Sequence, residues 1–185
     1  MPLTTYTAGE VLTASSLNAN LSFAANNSGL RLITAQTIGS AVGSVTVTNA
    51  FSATYDAYKI VVTGGAGSTA NSAFKIQLGA STTGYYWTFM YNGYANGTSG
   101  TGAANQTSLE NFGWCGTNGM QANIEIQNPF LAKYTTFQGQ NTQTNISGMA
   151  TGMHQVATSY TDITLTPAAG TITGGTIRVY GYANS

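Results

Sequence analysis

The chain has 185 residues, which is enough for one domain with a hydrophobic core and a modest appendage. Only 5% of the residues are charged, against roughly 25% in ordinary soluble domains, and the formal net charge at pH 7 is zero. Because nucleic-acid affinity depends on lysine and arginine contacts to phosphate, this composition argues against a nucleic-acid partner. Hydrophobic residues make up 42% and aromatic residues 11%, so the sequence predicts a folded chain.

The N-terminal residues carry no recognisable secretion signal. Residues 1–20 lack both a basic start and an apolar central region, and no apolar run approaches the roughly 20 residues of a membrane helix. Cys115 is the single cysteine, so no disulfide can form within the chain. The sequence therefore predicts a protein that is made in a cytoplasm, without a signal peptide and without a membrane partner.

The first 28 residues are predicted to form an arm that contains a short helix. Residues 1–12 mix polar and apolar side chains and are predicted to be extended. Thr13 is a candidate N-cap, and Leu17 and Leu21 then recur at helical spacing with alanines on the same face, which predicts a helix over about 14–26. Three turns are too few for an isolated helix to be stable, so this apolar stripe needs a partner. The partner is either the chain's own domain, another copy, or a neighbouring protein.

From Leu30 onward the hydrophobic period changes to two, which is typical of strands. The segment between Gly93 and Thr107 has almost no apolar residue and is predicted to be a long surface loop. About ten strands separated by turn signals indicate an all-β fold, a single jelly-roll-like β-sandwich over residues 29–185. The predicted strands cover 30–33, 44–48, 58–63, 74–78, 85–91, 112–115, 124–126, 133–138, 146–155, 162–166 and 176–182. The strand at 58–63 is predicted to be central and the strand at 176–182 to close the sheet.

The residue types that support catalysis or metal binding are few. A glycosidase needs two facing carboxylates, and only Glu110 and Glu125 offer such a pair, without local sequence support. His154 is the single histidine, no G-x-S-x-G turn is present, and a metal could use His154 only if three copies met on a trimer axis. We therefore predict no enzymatic activity, no catalytic residue, no metal site and no cofactor.

The segment at 85–91 is the bulkiest in the chain and raises two alternatives. On a strand, Tyr85, Trp87, Phe89 and Tyr91 share one face, which is predicted to be core. The alternative is that tyrosines in and beside this segment stack on a sugar or protein partner. The candidates for that contact are Tyr86, Tyr91 and Tyr94.

Two stretches resemble known proteins of tailed bacteriophages. TYTAGEVLTASSLNAN, residues 5–20, resembles the N-terminal segment of phage tail fibres and related virion appendage proteins. FSATYDAYKIVV at 51–62 and GGTIRVYGYAN at 174–184 are together similar to the C-terminal β-domains of small phage structural proteins. The resemblance covers about a quarter of the chain.

The resemblance implies a non-enzymatic structural protein of the virion, a short trimeric tail fibre or appendage. Its arm would anchor it to a tail or capsid protein, and its β-domain would be exposed for attachment to a glycan or protein of the host surface. The residues expected to anchor the arm are Tyr6, Val11, Leu12, Leu17 and Leu21. The outward residues expected at a subunit interface are Arg178, Tyr180 and Tyr182. The alternatives are a capsid decoration, cement or head-fibre protein, a carbohydrate-binding module, and a tailspike-type hydrolase.

Overall fold

The computed structural model describes residues 5–26 and 29–184, and the described part of the chain forms one helix and fourteen strands. Residues 1–4, 27, 28 and 185, which the predicted arm and domain include, lie outside the described residues. The helix is α1, Ala14–Asn26. The strands are β1 Leu30–Thr37, β2 Val45–Val47, β3 Ala57–Thr63, β4 Ala66–Gly67, β5 Phe74–Leu78, β6 Tyr85–Gly93, β7 Gly97–Gln106, β8 Trp114–Gly116, β9 Gly119–Gln127, β10 Thr135–Thr142, β11 Ile146–His154, β12 Ile163–Pro167, β13 Ile172–Thr173 and β14 Thr176–Tyr182.

The arm has more local structure than the sequence predicts. The backbone N–H of Thr7 donates to the carboxylate of Glu10 at 2.9 Å, and Gly9 adopts a positive φ of 92°, so residues 7–10 form a turn. Thr13 caps α1 as predicted, because its Oγ1 accepts the N–H of Ser16 at 3.3 Å. No helix of the described residues is long and apolar enough to cross a membrane.

The large sheet has nine strands and every pairing in it is antiparallel. The order is β1-β14-β3-β9-β10-β11-β6-β7, with β8 paired to β9. The predicted central position of β3 is confirmed. The prediction that 176–182 closes the sheet is wrong, because β14 lies between β1 and β3, so the edge belongs to the strand that follows the arm.

The segment predicted as a long loop contains an edge strand. β7 pairs with β6 along almost its whole length, and Gly93 and Gly97 face each other where the hairpin turns. Its sequence, GTSGTGAANQ, lacks the hydrophobic alternation of a half-buried strand because nearly all its residues are exposed. This strand is stabilised by backbone hydrogen bonds to β6. Such bonds leave no pattern in the sequence.

The remaining strands cover one face of the large sheet. β2, β12 and β5 form a three-stranded sheet, and β4 pairs with β13 in a short ribbon. The buried core combines inward side chains of the large sheet with those of the small one, such as Ile60 and Ile124 with Phe74 and Ile163. Tyr85 joins the two sheets directly, since its hydroxyl accepts the N–H of Leu78 at 2.8 Å. The all-β, sandwich-like fold is confirmed, with more strands than predicted.

Small residues on β10 and β11 make room for large residues of an irregular segment. Leu109 and Phe112 are fully buried, and Leu109 exchanges two backbone hydrogen bonds with Ile76 of β5, at 2.9 and 3.0 Å. A Cβ at Gly152 would lie 2.7 Å from Leu109 Cδ2, and a Cβ at Gly139 would lie 3.0 Å from Phe112 Cδ1. The segment therefore packs over β10 and β11 because Gly139 and Gly152 leave room beside the buried Phe137, whose ring meets that of Phe112 edge-on.

We expect Gly152→Ala to lower the free energy of unfolding by about 1–3 kcal/mol, because the added methyl group overlaps Leu109 in a packed core. The control is Gly100→Ala on β7, where the new Cβ would lie 3.5 Å from Phe89 O, an ordinary contact. Urea unfolding followed by tryptophan fluorescence measures both. Equal losses in the two variants would contradict this packing.

Candidate functional site

The outer face of the large sheet, meaning the side chains that point away from the core, is organised in rows that cross the strands. The registers align so closely that one row spans eight strands. From one edge of the sheet to the other, this row consists of Gly102, Thr88, Thr151, Gln138, Glu125, Lys59, Tyr180 and Leu32. Its members between the edges are predominantly polar.

A groove follows part of this row, and we call it the cross-strand groove. Its floor is formed by Thr88, Thr151 and Gln138, and the hydroxyl oxygens of Thr88 and Thr151 lie 3.1 Å apart. Tyr86 and Met153 face each other across β6 and β11 and form one side. The groove comprises two adjoining clefts of about 640 and 170 Å³, which share Thr151.

The three tyrosines predicted as partner contacts lie in different environments. Tyr86 is half-buried on the outer face and lines the cross-strand groove. Tyr91 points to the core side, where its ring stacks on Phe89 at a centroid distance of 5.0 Å. Tyr94 lies near the β6–β7 turn and is 61% exposed. The structure does not bring these three side chains into one site, whereas the inward face predicted for Tyr85, Trp87 and Phe89 is confirmed.

The predicted interface residues of β14 lie on the outer face of an interior strand. Arg178 donates to Thr63 Oγ1 at 2.9 Å, while Tyr182 donates its hydroxyl to Glu125 Oε2 at 2.6 Å. Partial burial and this hydrogen bond to a carboxylate raise the pKa of Tyr182 to about 12. The Nζ of Lys59 donates to the other carboxylate oxygen of Glu125, Oε1, at 2.8 Å. Tyr180 is half-buried and lies between Lys59 and Leu32 in the row.

The two glutamates considered as a catalytic pair do not face each other. Glu125 lies on the outer face of the large sheet, with both carboxylate oxygens engaged. Glu110 forms an ion pair of 2.9 Å with Lys75, which points outward from β5 of the small sheet. The core therefore separates the two carboxylates. No group of three or more potential metal-ligating side chains occurs among the described residues.

His154 is fully buried, which excludes it from a metal site on a trimer axis. Its Nε2 lies 2.9 Å from Ser81 Oγ and 3.1 Å from the carbonyl oxygen of Thr83. A carbonyl only accepts, so we assign the proton to Nε2, and Nδ1 is left buried with no partner in the described structure. The nitrogen next to Ser81 thus carries a proton and cannot activate that hydroxyl. Burial also lowers the pKa of His154 and raises the pKa of the Cys115 thiol.

The predicted anchoring residues all lie on the surface of the arm and of α1. The exposed fractions are 82% for Val11 and 59% for Leu21, and Tyr6, Leu12 and Leu17 are also exposed. Two further leucines, Leu30 and Leu32 on the edge strand β1, are exposed too and were missed by the sequence prediction. Leu30 and Leu32 alternate with Arg31 in the sequence LRLI, so they share one face of the strand. That face was assigned to the core because apolar residues on a strand are ordinarily buried.

No family model, no curated protein and no solved structure matches this chain.

Protonation of His154 should make stability depend on pH. Since burial holds its pKa below 6.5 in the folded state, the unfolded chain binds the proton first, and folding stability falls as the pH drops below about 6.5. We expect the free energy of unfolding to decrease between pH 7 and pH 5 by up to about 1.4 kcal/mol per pH unit.

In His154→Gln this dependence should be largely absent, as measured by urea unfolding at each pH. The control adds Tyr134→His to that variant, because an exposed histidine has a similar pKa in both states and should not restore the slope. A wild-type slope that persists in His154→Gln would contradict the assignment.

Proposed function

We propose that this protein is a non-enzymatic structural protein of a tailed-phage virion, a short trimeric fibre or appendage. Its N-terminal arm anchors it to a tail or capsid protein, and its β-domain is left exposed for attachment to the host surface. The assignment to this family and the trimeric state both rest on the resemblance of residues 5–20, 51–62 and 174–184 to phage structural proteins.

The observation that carries the anchor is that the core closes without the arm. The buried core of the described residues runs from Ile38 to Val179 and includes no residue of α1. Most of the exposed large apolar side chains in the described chain nevertheless belong to the arm, α1 and β1. They are Tyr6, Val11, Leu12, Leu17, Leu21, Leu30 and Leu32, and the others are Met90, Tyr94, Tyr134 and Met149.

Such an arm provides binding energy that its own domain does not use. Full burial of an exposed leucine or valine contributes about 1.5–3 kcal/mol, from which the cost of ordering the bound segment is subtracted. If three copies are joined, each arm that binds raises the effective concentration of the others at the docking site. Weak individual contacts then give durable attachment.

The anchor is tested by comparing two variants that add the same charge to the same helix. Leu21→Asp should reduce incorporation into phage particles about tenfold or more, because docking would bury an unpaired carboxylate. Asn18→Asp, also exposed on α1, should be incorporated normally. Quantitative immunoblotting of purified particles measures both, and unchanged melting temperatures show that both fold. Normal incorporation of Leu21→Asp would refute the anchor.

Immunogold labelling of the same particles tests the proposed place of the protein. We expect label on the tail or on the capsid surface, and particles that carry none would refute the virion assignment. Sedimentation equilibrium of the purified chain should give the mass of three copies, and a monomer at micromolar concentration would contradict the trimer.

A further inference from the structure

We propose that the cross-strand groove binds a linear, uncharged polysaccharide. The inference rests on the proposed function in that the β-domain must be exposed on the particle to meet such a polymer. It differs from the tyrosine set predicted from the sequence, because two of those three residues lie outside this groove.

The groove is shallow, and it runs across the strands on the open outer face of the sheet. Adjacent strands are about 4.8 Å apart, so the path from Gly102 to Gln138 is about 14 Å long. At the β7 end, Gly100 and Gly102 occupy the outer face and leave no side chain to close the groove. A Cβ at Gly102 would come within 2.7 Å of Trp87 O, so the β7 backbone lies close against β6 there. A polymer can therefore leave the groove over the sheet edge.

One side of the groove is apolar and its floor is polar. Tyr86 and Met153 form that side. Met90 and Met149, both exposed one row beyond the floor, line a neighbouring cleft. A sugar ring has the same division, with C–H groups on its faces and hydroxyl groups around its edge. Tyr86 offers an aromatic surface for such C–H groups.

The floor offers hydrogen bonds of both kinds. The hydroxyls of Thr88 and Thr151 each donate and accept, and the exposed amide of Gln138 does both in one plane. Gln127 and Thr136 continue this lining toward β9 and are themselves linked by a hydrogen bond of 3.2 Å. Sugar hydroxyls also donate and accept, so this lining satisfies them without any charged group.

The charge of the groove favours a neutral ligand. Glu125 is the only charged side chain among the described residues that line it. Its two oxygens are occupied by Lys59 and by the hydroxyl of Tyr182, at 2.8 and 2.6 Å. The groove therefore offers no free cation to bind an anionic polymer, and a phosphorylated or sulfated glycan would find no counter-charge along the floor.

The test uses the full chain in native gels at pH 8.8 that contain a neutral polysaccharide, namely dextran, galactomannan or hydroxyethyl cellulose. We expect at least one of them to retard the chain. Tyr86→Ala should weaken this apparent affinity about tenfold, and Gln138→Ala about three- to tenfold. Retardation by none of the three overturns the inference.

Matched controls come from exposed residues outside the groove. Tyr134→Ala and Gln36→Ala remove the same side-chain types and should leave retention unchanged. Equal weakening in the controls overturns the inference. Groove variants that keep glycan retention but change the sedimentation of the chain would show a subunit contact there, which also overturns it. Leu21→Asp should bind polysaccharide normally, so failure of glycan binding and failure of the virion anchor are observed separately.

Discussion

The fold depends on covering the inward face of a nine-stranded sheet with a three-stranded sheet and a two-stranded ribbon. These five short strands do not cover the whole face, and an irregular segment that carries Leu109 and Phe112 also packs against it. These side chains reach β10 and β11 because Gly139, Ala150 and Gly152 leave the space. The middle of the large sheet is thereby closed on its inner side, and only its outer face remains open to solvent.

That outer face is polar without being charged, which follows from the unusual composition. Threonine, glutamine and asparagine supply most of the outward positions of β9, β10 and β11. The carboxylate of Glu125 on this face is compensated by Lys59 and by the hydroxyl of Tyr182, whereas Arg178 donates to the neutral hydroxyl of Thr63. A surface of this kind attracts partners through hydrogen bonds at short range and exerts little electrostatic steering at long range.

The sequence predicted the elements whose side chains alternate between core and solvent. In β6 the alternation of Tyr85, Trp87 and Phe89 with smaller or polar residues identified both the strand and its inward face. β7 escaped prediction because both of its faces are exposed, so no period-two pattern is required of it. Likewise, the alternating pattern of β14 identifies it as a strand but does not indicate its position in the sheet, since its neighbours β1 and β3 are distant in sequence.

The candidate site was less predictable than the fold for the same reason. Thr88, Thr151 and Gln138 are ordinary residues in three separate strands, and only the registers of β6, β10 and β11 place them in one row. Register depends on long-range pairing, which a single sequence does not state. Tyr86 was identified as a candidate, but it was grouped with Tyr91 and Tyr94 because they are close in sequence, whereas its neighbour across the sheet is Met153.

The two surfaces that carry the proposals differ in chemistry, and this difference bears on how the protein works. The arm and α1 present isolated apolar side chains, which gain free energy only by burial against another protein. The cross-strand groove presents hydroxyls and an amide over a shallow floor, which suits a hydrated partner. The core includes no residue of α1, and the groove lies on the outer face of the large sheet. A partner bound at the arm therefore leaves the groove unchanged. Under the two proposals together, the chain stays fixed at its arm while its sheet releases and rebinds a polymer.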